Sequence, residues 1–189
     1  MALALATTVV IAGGCNGSGD AAPEGRAASS TAPSRSSSTT ALTSTPRALE
    51  NAGDDLVAVT LSISSFRRWL LEHPRPDLLE RIVRPSCSCW DANHQGLDGL
   101  ATKGWRYEPG LPPYVAPEVS VRDRPGPDVA IVYVVLPASP RLQVVDASGA
   151  VVQEIPASER RGALYSLVRE AGRWRIGDIS EVGPVGGDG

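Results

Sequence analysis

Residues 163–179 read ALYSLVREAGRWRIGDI, and this stretch decides the fold. Two strand-forming runs, Ala163–Arg169 and Arg173–Ile179, flank Glu170-Ala171-Gly172. Short β-prone runs separated by a glycine-containing turn specify a hairpin. The same grammar recurs upstream, where Leu142–Val145 and Val151–Ile155 flank Asp146-Ala147-Ser148-Gly149. Before them Val129–Leu136 (VAIVYVVL) is apolar on both faces, which predicts a central strand. Arg124-Pro125-Gly126-Pro127-Asp128 reads as a turn, preceded by Val119 and Val121 alternating with Ser120 and Arg122. Trp105, Tyr107 and Tyr114 are aromatic β formers among prolines. The expectation is a meander of five or six antiparallel strands.

Upstream of Gly104 the period changes. Leu49, Ala52, Leu56, Val59, Ile63, Phe66 and Leu70 recur at steps of three and four, the stripe of an amphipathic helix. Arg67, Arg68 and Glu72 lie near its far end, and Pro74 and Pro76 stop it. Asp77 is expected to cap a second, short helix over Leu78–Val83, stopped by Pro85. A third helix is expected from Asp91 to Lys103, ending at Gly104. Helices first and strands afterwards predict an α+β domain over residues 49–183, with helices packed on one face of a curved antiparallel sheet.

A long helix, a short one, and strands ending in LVREAGRWRIGDI resemble the cone-shaped NTF2-like fold. The wider array is similar to secreted lipoproteins of high-G+C Gram-positive bacteria. Its marks are Phe66 and Trp69 at the aromatic end of the first helix, the pair Cys87 and Cys89, and the hairpin Val144–Val152. The resemblance covers Leu49 to about Val182 and implies a fold known for pockets, with no established activity.

The N-terminus carries an address. Residues 1–14 (MALALATTVVIAGG) read as a secretory signal peptide. Ala12-Gly13-Gly14-Cys15 resembles a bacterial lipobox, in which the Cys15 thiol would receive diacylglycerol. Ala12 stands where lipoboxes usually carry Leu, and no Lys or Arg precedes Cys15, as expected of a start lying upstream. Residues 15–48 then form a Ser/Thr/Ala/Pro tether that cannot bury enough apolar surface to order itself. As a flexible chain its 33 residues from Asn16 to Ala48 would reach about 30 Å. A disordered tail is expected over 184–189. The location implied is the outer face of the cytoplasmic membrane.

Composition removes several classes of function. The 189 residues carry net charge -3, and Lys103 is the only lysine, so a nucleic-acid footprint is not expected. If Cys15 is lipidated, Cys87 and Cys89 are an even pair in an oxidising compartment. A disulfide staple at the exit of the second helix, a redox dithiol, a metal site with His94 and a free dithiol all remain open. No metal or cofactor is expected, since zinc needs three or four ligands. His73 is expected at a helix end, facing exposed carbonyls. Among the carboxylates Glu118, Asp123, Asp128, Glu154 and Asp178, Glu118 and Asp178 sit within strands. Alternation would put Asp178 on one face with Trp174 and Ile176. The candidate pocket set is Trp69, Trp105, Tyr107, Tyr133, Tyr165, Trp174 and Asp178, with Trp90 a further aromatic.

No catalytic set is visible: G-x-S-x-G is absent, and no buried acid has an evident partner. The favoured reading is a membrane-anchored, non-catalytic domain binding a small ligand, a wall component or an envelope protein. The alternatives are an isomerase- or hydratase-type enzyme using a cone carboxylate, and a structural module with a filled cone. A homodimer through the sheet is a further partner expectation.

Overall fold

The computed structural model describes residues 47–109 and 115–185. The signal peptide, Cys15, most of the tether, Tyr114 and residues 186–189 lie outside the described residues.

Helix α1 spans Leu56–Glu72, seven residues later than the apolar stripe predicts. Asp55 sets its start: Oδ1 accepts from the backbone N–H groups of Val57 and Ala58, both at 3.0 Å. Those are donors a helix cannot satisfy internally. Leu49 packs on the core from an irregular segment, so its match to the helical period is coincidental. The far end falls where the prolines require, with His73 as cap. A two-turn 3-10 helix, Pro76–Arg81, replaces the expected α-helix over Leu78–Val83. Pro76 opens it with its fixed φ. Asp77 is no cap; its carboxylate receives Arg75 Nε at 2.9 Å and Nη2 at 2.8 Å. Helix α2, Trp90–Lys103, ends as predicted on Gly104, at φ 66°.

Among the described residues seven strands follow: β1 (Arg106–Tyr107), β2 (Glu118–Gly126), β3 (Val129–Leu136), β4 (Leu142–Val145), β5 (Val151–Ile155), β6 (Arg161–Glu170) and β7 (Arg173–Pro184). They do not form one meander. The main antiparallel sheet has order β2-β3-β6-β7, while a second sheet has order β1-β4-β5. The excursion is pinched at its base by reciprocal 2.9 Å bonds between the backbones of Ser139 and Ser158. This brings β3 beside β6. The expected turn at 124–128 is shorter, because β2 runs on through Gly126. The β6–β7 hairpin turns through Ala171 at φ 48° and Gly172 at φ 75°, the left-handed pair that matches strand twist.

The concave face of the main sheet and the buried stripe of α1 make the core. Leu56, Val59, Ile63, Phe66 and Leu70 meet Ala130, Val132, Val134, Leu167, Trp174 and Ile176. Each fully buried side chain of this size contributes about 1.5–3 kcal/mol. The open edge of β7 is covered by residues 82–84: Ile176 N–H donates to Ile82 O at 2.8 Å, and Arg84 N–H to Ile176 O at 2.9 Å. Covering an edge in this way removes a template for unwanted strand pairing.

A bulge in β7 overturns one expectation. Ser166 pairs with Asp178 and Leu167 with Ile176, leaving Gly177 as the extra residue. Alternation therefore resets, and Asp178 sits opposite Ser166 on the outer face, not with Trp174 and Ile176. Gly177 suits the position because an added Cβ would stand 2.8 Å from Val168 Cγ2.

Candidate functional site

Between α1 and the sheet lies a solvent-open cavity of about 580 Å³. One wall is α1, where Ile63, Arg67 and Leu71 follow at i, i+4 and i+8, flanked by Ser64 and Arg68. Such spacing puts these side chains on one helix face. The opposite wall is the segment leaving β3, with Leu136, Pro137 and Pro140, continued by Leu142. Pro137 and Pro140 bring no N–H and a fixed φ, so that wall is apolar and stiff. Val115 and Pro117 add to the rim, and Tyr165 and Ile176 come from the sheet. Among the described residues, none of those lining the cavity is an Asp, Glu, His or Cys.

The charge on the wall comes from two arginines. Arg68 Nε bonds Glu72 Oε1 at 2.7 Å, one turn on. Arg67 Nη2 instead donates to the neutral amide oxygen of Asn93 at 2.9 Å. Asn93 is held from behind, its Nδ2 donating to Cys89 O at 2.7 Å. Cys89 is bonded to Cys87 with Cα atoms 5.1 Å apart, so the two cysteines form the disulfide staple. The bond leaves neither thiolate for a metal set with His94, whose ring stacks on Trp90 at 5.5 Å. Tyr107 stands near the two arginines: burial pushes its hydroxyl above the ordinary 10.0, against the opposing pull of the Arg67 and Arg68 charges.

The structure scatters the seven residues expected to line a pocket. Tyr165, 4% exposed, lines the cavity. Trp69 is packed on Phe66 at 5.6 Å and His73 at 4.9 Å. His73 Nδ1 lies 3.2 Å from Trp69 O, at the helix end as expected. Trp105 takes Lys103 Nζ over its ring at 4.4 Å. Tyr107 sits in β1 beside Val144. Tyr133 lies on the outer face of the sheet, so close over Gly162 that a Cβ there would overlap its hydroxyl. Trp174 is fully buried and serves the core, its Nε1 donating to Gly53 O at 2.9 Å. Asp178 accepts from Ser88 Oγ at 2.5 Å, away from the cavity.

The other carboxylates are also outside it. Glu118 receives Arg160 at 2.7 and 2.8 Å, Glu154 receives Arg141 at 2.9 Å, and Asp123 accepts from the N–H of Arg124 at 2.7 Å. The sequence reading passed over the wall residues Arg67, Arg68 and Leu71. The available signal was the pair of arginines flanking an apolar stripe, beside a proline-rich segment leaving the strongest strand.

No protein-family model and no curated protein matches the sequence. Among solved structures, the chain is similar to the intermembrane-space region of the chloroplast protein ARC6 at 13% identity and TM-score 0.45, over 67% of this chain and 96% of that one. It is also similar to a cystatin-like-fold protein of unknown function from Nostoc punctiforme, at 11% identity and TM-score 0.37, over 68% and 89%. An NTF2-like protein with a cystatin-like fold from Novosphingobium aromaticivorans gives 14% identity and TM-score 0.34, over 65% and 77%. The α+β class, helices followed by a curved antiparallel sheet, is the one expected, and it stands on the elements described above.

Proposed function

We propose that this chain is a lipid-anchored extracytoplasmic protein whose domain binds a small, largely apolar ligand in the cavity between α1 and the sheet, without transforming it. The observation that carries this reading is the cavity itself. Its volume of about 580 Å³ falls in the range of small-molecule sites, and its described wall is apolar apart from Ser64, Arg67, Arg68, Ser139 and Ser158. Anchoring rests on the signal-like residues 1–14, Cys15 and the tether. The alternative of a cone carboxylate finds no support in the wall, because Glu118 and Asp178 face elsewhere. General acid–base catalysis needs its proton donor or acceptor within hydrogen-bond reach of the substrate.

Titration of the full chain with N-phenyl-1-naphthylamine, a neutral dye that brightens in apolar sites, tests the reading. Saturable binding that is lost in Ser64→Trp, whose indole fills the cavity, is the expected result. Binding that survives a filled cavity, or none in the parent chain, contradicts it.

A further inference from the structure

Resting on that reading of the cavity, we infer that its natural ligand is an anionic amphiphile. Arg67 receives the acidic headgroup, and the apolar body lies against Ile63, Leu71, Leu142 and Tyr165. The charge pattern carries the inference. Two guanidinium groups are the charged groups of a described wall that is otherwise apolar apart from three serines, and no described carboxylate is part of it. Glu72 answers Arg68 at 2.7 Å. Arg67 has no carboxylate within 4.0 Å among the described residues; its named partner is the uncharged Asn93. A half-buried guanidinium beside apolar surface, its charge not answered by a carboxylate, attracts an anion more strongly than one in bulk water does.

Arginine suits this task for geometric reasons. A guanidinium offers five N–H donors in a planar fork, matched to the two oxygens of a carboxylate or phosphate. One of those donors is committed to Asn93, and this fixes the group in place. Asn93 is tied in turn to Cys89, and Cys89 to Cys87, so the disulfide at the start of α2 anchors the shell behind Arg67. A receptor group held in advance loses little freedom when the ligand arrives. An uncharged ligand of the same shape gains at most a weaker hydrogen bond from Arg67, and a cationic one is repelled.

The experiment is displacement of N-phenyl-1-naphthylamine from the full chain by decanoate, decanol and decyltrimethylammonium, three probes sharing one chain length. Decanoate is expected to displace the dye at a concentration about tenfold below decanol, a difference of about 1.4 kcal/mol that one charge-assisted bond supplies. The cationic probe is expected to be weakest. In Arg67→Gln the advantage of decanoate should vanish while decanol is unaffected, and Arg67→Lys should restore part of it. Added salt should weaken decanoate alone in the parent chain, a readout that needs no variant. Equal displacement by decanoate and decanol, or a preference that persists in folded Arg67→Gln, overturns the inference and leaves the cavity reading standing. Failure of dye and all three probes to bind overturns both.

Discussion

Asn51 and Trp174, 123 positions apart, clasp one another. The N–H of Trp174 donates to Asn51 O at 2.7 Å, and Asn51 Nδ2 returns a bond to Trp174 O at 2.9 Å. The same amide reaches Arg81 O at 3.2 Å, so one buried side chain joins the segment before α1, the 3-10 helix and β7. Asn51→Ala would leave two carbonyls short of a donor in a nearly dry place. A loss of about 1–3 kcal/mol is expected, read as a lower urea midpoint with an unchanged m-value.

Gly177 makes a second test of packing. Its missing side chain lets the β7 bulge pass 2.8 Å, measured from a Cβ position, from Val168 Cγ2. Gly177→Ala should cost about 1–3 kcal/mol through that overlap. Pairing it with Val168→Ala should recover part of the loss, a coupling that a double-mutant cycle measures.

Tyr107 links stability to alkaline pH. Burial raises its pKa in the folded chain above the ordinary 10.0. Below about pH 10 both states keep the proton, so its contribution is fully present there. As pH rises further, the unfolded chain ionises first, and stability falls until the folded value is passed. The parent chain should therefore lose more stability than Tyr107→Phe between about pH 9 and about pH 11, as urea unfolding at each pH will show.

The proposed anchor makes a cellular prediction. Cys15→Ala should move the protein from the membrane fraction to the soluble fraction, because the proposed lipid then has no thiol to attach to; among the described residues no helix is long and apolar enough to cross a bilayer. Unchanged membrane association would remove Cys15 as the attachment point. Dual acylation anchors stably where a single chain is marginal.

Local signals in the sequence were faithful where a residue type dictates backbone geometry. Val129–Leu136, Leu142–Val145 and Val151–Ile155 are strands with the bounds expected, and Gly104 ends α2. Proline stopped α1 where it should. Failures came where periodicity was asked to report tertiary facts. Leu49 and Ala52 extend the apolar stripe but precede the Asp55 cap, and a cap overrides a period. One inserted residue, Gly177, moved Asp178 across the sheet. The aromatics misled for a related reason. Trp174 found a backbone partner for its indole N–H and so could be buried in the core, while of the expected aromatics Tyr165 lines the cavity beside aliphatic, proline, serine and arginine side chains.

The most direct measurement is a methyl-resolved NMR titration of the full chain with decanoate. The account predicts shifts concentrated at Ile63, Leu71, Leu136 and Leu142, which line the cavity, with Val168 on the outer face of the sheet unmoved. Shifts centred on Val168 and its neighbours, with Ile63 and Leu142 unchanged, would contradict it and place the binding surface outside the cone.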